Sequence, residues 1–90
     1  MKLKVQTHSL DRLSPADRYM VYVWAQPPHR CQTLSEWAAA LAQNFETPGA
    51  TELHHGWTVI HDETGVYLRH PFVLVVLSIT LDPDNNAAPQ

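Results

Sequence analysis

Three strand-like runs stand almost end to end in the last third of this 90-residue chain: Trp57 to His61, Val66 to His70 and Phe72 to Leu81. The segments between them, Asp62-Glu63-Thr64-Gly65 and Pro71, are too short to hold a crossover helix. The runs are therefore expected to pair as an antiparallel meander, with Gly65 supplying permissive backbone in the first turn. The last run, Phe72-Val73-Leu74-Val75-Val76-Leu77-Ser78-Ile79-Thr80-Leu81, does not alternate cleanly between apolar and polar residues, so both of its faces are expected to need cover. In so small a chain the second cover is expected to be another copy. Val73, Val75, Leu77 and Ile79 are the expected homodimer interface.

The first half supplies what packs on this sheet. Lys2-Leu-Lys-Val-Gln-Thr-His8 alternates as an edge strand with one wet face does. Ser14-Pro15-Ala16-Asp17 is a helix start, with Ser14 as N-cap and Pro15 at the first helical position, and Pro27-Pro28 is a stop. Leu13, Ala16, Met20, Val23 and Trp24 would share one face of that helix. The β-branched and aromatic run Tyr19 to Trp24 suits a strand as well, and the start and stop signals favour the helix. Thr33-Leu-Ser-Glu36 is a capping box ahead of the helix-forming run Trp37 to Gln43, with Leu34, Trp37, Ala38, Leu41 and Phe45 on one side. Thr47-Pro48-Gly49 ends this helix, and Ala50 to Gly56 is too short to assign. The expected fold is α+β: a four-stranded antiparallel sheet carrying two helices, over residues 1–81, with residues 82–90 a disordered tail.

Composition narrows the function by exclusion. A content of 44% hydrophobic and 17% charged residues is that of a folded chain and not of a disordered regulator. The N-terminus lacks the apolar core of a secretory signal, the longest apolar run is half the roughly 20 residues of a membrane helix, and the lone Cys31 cannot form an internal disulfide. A soluble, cytoplasmic protein is expected. Residues 1–30 hold Lys2, Lys4, Arg12, Arg18 and Arg30 against Asp11 and Asp17, a balance of +3. Residues 31–90 hold Arg69 against Glu36, Glu46, Glu52, Asp62, Glu63, Asp82 and Asp84, a balance of −6. Five scattered cations beside an acidic body argue against a phosphate-backbone grip.

Chemical signatures are sparse. Six histidines include His29 near Cys31, the pair His54-His55 and His61 beside Asp62, but neither paired-cysteine nor His-Glu-x-x-His spacing occurs, so no metal is expected. Cys31 beside His29 lacks an oxyanion site and an orienting third group. No phosphate-cradling loop or strained serine turn occurs either, and neither a cofactor nor an enzymatic function is expected. The element order resembles that of winged-helix DNA-binding proteins. That resemblance implies a recognition helix over Pro48 to His55, where no Arg or Lys stands, and a wing bearing Asp62 and Glu63. The expected function is a small regulator or inhibitor that binds another protein, with a winged-helix regulator as the second reading and a zinc-stabilised fold as the third. Arg18 and Tyr22, one helical turn apart and off the main apolar face, are the expected partner-binding residues.

Overall fold

A computed structural model describes residues 2–25, 32–46 and 56–82. The elements are β1 (Lys2–Thr7), α1 (Pro15–Ala25), α2 (Leu34–Leu41), β2 (Thr58–His61), β3 (Gly65–Arg69) and β4 (Val75–Asp82). The strands form one antiparallel sheet in the order β1-β4-β3-β2. The C-terminal meander and the N-terminal strand join as the sequence led us to expect, and the fold is a single α+β domain. α1 lies over β1 and β4, while α2 lies over β2, β3 and β4. Both helices cover the same face, on which Val66, Leu68, Leu77 and Ile79 are fully buried. Each such side chain contributes about 1.5–3 kcal/mol on removal from water.

The Ser14-Pro15 start makes residues 15–25 a helix. Ser14 Oγ accepts from the Asp17 amide at 3.2 Å and Ser14 O from the Arg18 amide at 2.9 Å. The face that packs differs from the expected one. Val21 is fully buried and Trp24 half-buried, whereas Ala16 and Val23 face solvent. The inward stripe runs through Asp17, Val21 and Trp24, and Asp17 sits there because His70 meets it. A hydrophobic pattern alone cannot place an acid on the inward side when its partner comes from 53 residues away.

α2 begins as its capping box requires. Glu36 N donates to Thr33 Oγ1 at 3.1 Å, and Glu36 Oε1 accepts from Thr33 N at 3.0 Å and Gln32 N at 2.9 Å. These bonds, that from the Gln32 amide first, hold the Glu36 carboxyl below its ordinary range. Trp37 and Leu41 enter the core, and one wider turn, Ala42–Glu46, continues the helix and brings Phe45 in as well. The Glu46 carboxylate accepts from the Val59 amide and so covers part of the β2 edge. Trp24 links the two helices, with ring centroids 6.3 Å from Trp37 and 6.0 Å from Phe45. The expected stop at Thr47-Pro48-Gly49 and residues 83–90 of the expected tail lie outside the described residues, while Asp82, expected to open that tail, ends β4 paired with Lys2.

One expectation about the meander is corrected. The apolar run from Phe72 is not one strand. Phe72 to Leu74 belong to a turn closed by His70 N donating to Leu74 O at 3.0 Å, and β4 opens with a bulge at Val75 and Val76, where its register against β3 shifts. Beyond the bulge the strand alternates: Leu77 and Ile79 point under the helices and Ser78 and Thr80 to the other face. Leu77 and Ile79, two of the four residues expected at a dimer interface, are fully buried on the face that the helices of the same chain cover. Val73 and Val75 are half-buried.

Gly65 is not there for an unusual φ, which among the described glycines only Gly56 adopts, at +90°. It sits where β4 comes close. A Cβ on it would lie 2.4 Å from Ile79 O and 2.9 Å from Thr80 Cγ2. The turn itself is made by Asp62, whose Oδ1 accepts from Thr64 Oγ1 at 2.7 Å, Thr64 N at 2.8 Å and Gly65 N at 3.2 Å.

Candidate partner-binding face

His70 is a buried side chain with both ring nitrogens engaged. Its Nδ1 accepts from the amides of Phe72 at 3.0 Å and Val73 at 3.2 Å. Two donors on Nδ1 make Nε2 the protonated nitrogen, and it donates to Asp17 Oδ2 at 2.9 Å. The imidazole also meets the Trp57 ring edge-on, centroids 4.7 Å apart, and Trp57 in turn meets Phe45 at 4.9 Å. A closed circuit results, running from Asp17 through His70, Trp57, Phe45 and Trp24 back to α1. It fixes the rotation of α1 about its axis and thereby decides which side chains that helix turns outward.

Those side chains are Pro15, Arg18, Tyr19, Tyr22 and Val23. With Leu10, from a short helical turn at Leu10–Arg12, the first four line a shallow recess of about 290 Å³. Tyr19 is 66% exposed and Tyr22 55%. The turn that carries Leu10 is entered through Ser9 in the left-handed region, φ 55°, and closed by the buried Leu13. Leu13 O accepts from Arg18 Nη2 at 3.3 Å, which steadies the guanidinium beside the tyrosines and leaves most of its N–H groups outward. Among the described residues no carboxylate lies within ion-pair distance of Arg18; Asp17, next in sequence, is turned inward to His70. The structure brings the expected pair, Arg18 and Tyr22, into one recess and adds Leu10, Pro15 and Tyr19. Tyr19 was legible as the i−3 neighbour of Tyr22. Leu10 was not, because the fold of the Ser9 to Ser14 connection brings it there.

Among the described residues no helix packs on the opposite face of the sheet. Gln6, His8, Tyr67, Leu74, Val75, Ser78 and Thr80 line a broad concavity there, with Phe72 90% exposed in the adjoining turn. Its polar groups largely satisfy one another. His8 Nε2 and Ser78 Oγ are 2.7 Å apart, and Tyr67 OH and Thr64 Oγ1 2.6 Å. The Ser78 and His8 pair ties β4 to the end of the edge strand β1, with Ser78 5% exposed.

Among the described residues no three His, Cys, Asp or Glu side chains converge as a metal site would need. His29, Cys31, His54 and His55 lie outside those residues, as does all of Pro48 to His55, the segment that would be a winged-helix recognition helix. His61 is exposed on β2. No described helix is long and apolar enough to cross a membrane. Comparison with protein-family models, with curated proteins and with solved structures finds no match to this chain.

Proposed function

We propose that this protein is a small non-enzymatic regulator or inhibitor that works by docking the outer face of α1 on another protein. One observation carries the reading: among the described residues only one side of α1 is covered, and the other side also carries large apolar and aromatic side chains. The inward side holds Val21 and Trp24, while Tyr19, Tyr22 and Val23 stand in solvent around Arg18. Large apolar side chains grouped on an exposed helix face ordinarily mark a surface that meets something else. Tyrosine and arginine are also the residue types in which interface binding energy concentrates. The surface is pre-ordered, since the Asp17 to His70 bond and the Leu13 to Arg18 bond fix its parts before any partner arrives, which lowers the ordering cost of binding.

The test is a tagged capture from lysate of the source cell, with the native chain and with Tyr22→Ala and Arg18→Glu in parallel, each with and without nuclease. A discrete protein should be retained by the native chain, survive nuclease and be lost from both variants, and the purified pair should then reassociate. Retention that disappears with nuclease would replace this reading by a nucleic-acid one. A partner held equally by all three chains would move the interface away from α1.

A further inference from the structure

Resting on the reading of α1 as a docking surface, we infer that its partner presents an acidic amphipathic helix, with a carboxylate set among apolar side chains. The geometry of the recess carries both parts of this. Pro15, Arg18, Tyr19 and Tyr22 follow the i, i+3, i+4, i+7 ridge of one helix face, and the groove beside such a ridge is the shape into which the ridge of a second helix packs. Arg18 is the only charged side chain on that ridge. Its guanidinium is steadied through one N–H by Leu13 O at 3.3 Å, and no described carboxylate pairs with it. The acid that adjoins it in sequence is spent on His70. An Arg so placed and flanked by tyrosines is covered favourably only by a group that accepts from its remaining N–H groups, and a carboxylate does this bidentately. A basic segment would bring like charges together, and a wholly apolar one would strand the guanidinium.

The experiment uses three synthetic helical peptides of equal length with the same leucine stripe. Glutamate, glutamine or lysine occupies the positions flanking that stripe. Each is titrated into the ¹⁵N-labelled full chain, with affinities taken from calorimetry. The glutamate peptide should bind, shift the amides of residues 10–25 and exceed the glutamine peptide by roughly tenfold, about 1.4 kcal/mol. Arg18→Glu, at an exposed position, gives up the bond to Leu13 O and reverses the charge, and should reverse the order, so that the lysine peptide binds best. Equal binding of the glutamate and glutamine peptides on α1, undisturbed by Arg18→Glu, would overturn the acidic partner and leave the docking surface standing. Shifts that map elsewhere, or no binding by any peptide, would overturn both.

Discussion

Replacing Gly65 by alanine isolates one close approach of backbone in the sheet. The added Cβ would lie 2.4 Å from Ile79 O, 2.9 Å from Thr80 Cγ2 and 3.1 Å from Thr80 Cα, where real Cβ atoms essentially never come within 3.0 Å. Gly65 pairs with Thr80 and the adjacent Val66 with Ile79, so the obstruction is the central strand itself. β3 and β4 can separate only by disturbing the fully buried contacts of Val66, Leu68, Leu77 and Ile79. Overpacking of this kind costs about 1–3 kcal/mol, and a rigid backbone acceptor places this case near the top, at about 2–3 kcal/mol. Alanine regains about 0.4–1 kcal/mol by restricting the unfolded chain, which does not offset that. A domain of this size is stable by roughly 5–13 kcal/mol, so the variant should fold, with its melting midpoint lowered by roughly 5–20 °C. Urea titration followed by fluorescence of the buried Trp37 and Trp57 measures the change. Thr80→Ala in the same background should restore less than half of it, because the Ile79 carbonyl remains in place. A Gly65→Ala chain within about 0.5 kcal/mol of the native one, or full rescue by Thr80→Ala, would refute the reasoning and show that this glycine serves the turn or meets only a side chain.

Leu77→Ala should cost about 2–5 kcal/mol, and its unfolding midpoint should not depend on protein concentration; a midpoint that rises with concentration would return Leu77 to a subunit interface. Asp17→Ala leaves the buried His70 Nε2–H without its acceptor and should cost about 1–3 kcal/mol, with amide exchange at Phe72 and Val73 rising in step; an unchanged melting curve would disprove the circuit that orients α1. Acid stability should follow Glu36 and Asp62. The Gln32 and Thr33 donors hold the Glu36 carboxyl below its ordinary 4.5, and the Thr64 hydroxyl, then its amide, holds that of Asp62 below 3.8. Both folded values are depressed, so their contribution is complete above about pH 4.5 and is lost as pH falls through the lowered values. A Glu36→Gln, Asp62→Asn double variant should show a flatter decline of the melting midpoint below that pH, and an unaltered slope would count against it.

Much of the frame was legible because its causes are local. Short linkers compel antiparallel pairing, Ser14-Pro15 opens one helix, and the Thr33 to Glu36 box opens another, each through atoms within a few residues of one another. The neighbouring pair Arg18 and Tyr22 was legible for the same reason, since a helix puts residues four apart side by side. Tertiary structure decided what depended on distant partners. His70 draws Asp17 inward, rotates α1 and leaves Ala16 and Val23 outside, although composition ranks them as core. A bulge at Val75 and Val76 turns what reads as one apolar strand into a turn followed by an alternating strand, and so places Leu77 and Ile79 in the chain's own core. Gly65 reads as a turn residue until β4 is laid against it. The sequence alone determined where the helices begin, because their opening hydrogen bonds lie within a few residues; which faces the helices and strands turn inward was settled by contacts with other elements, as far apart as Asp17 and His70, which no local pattern encodes.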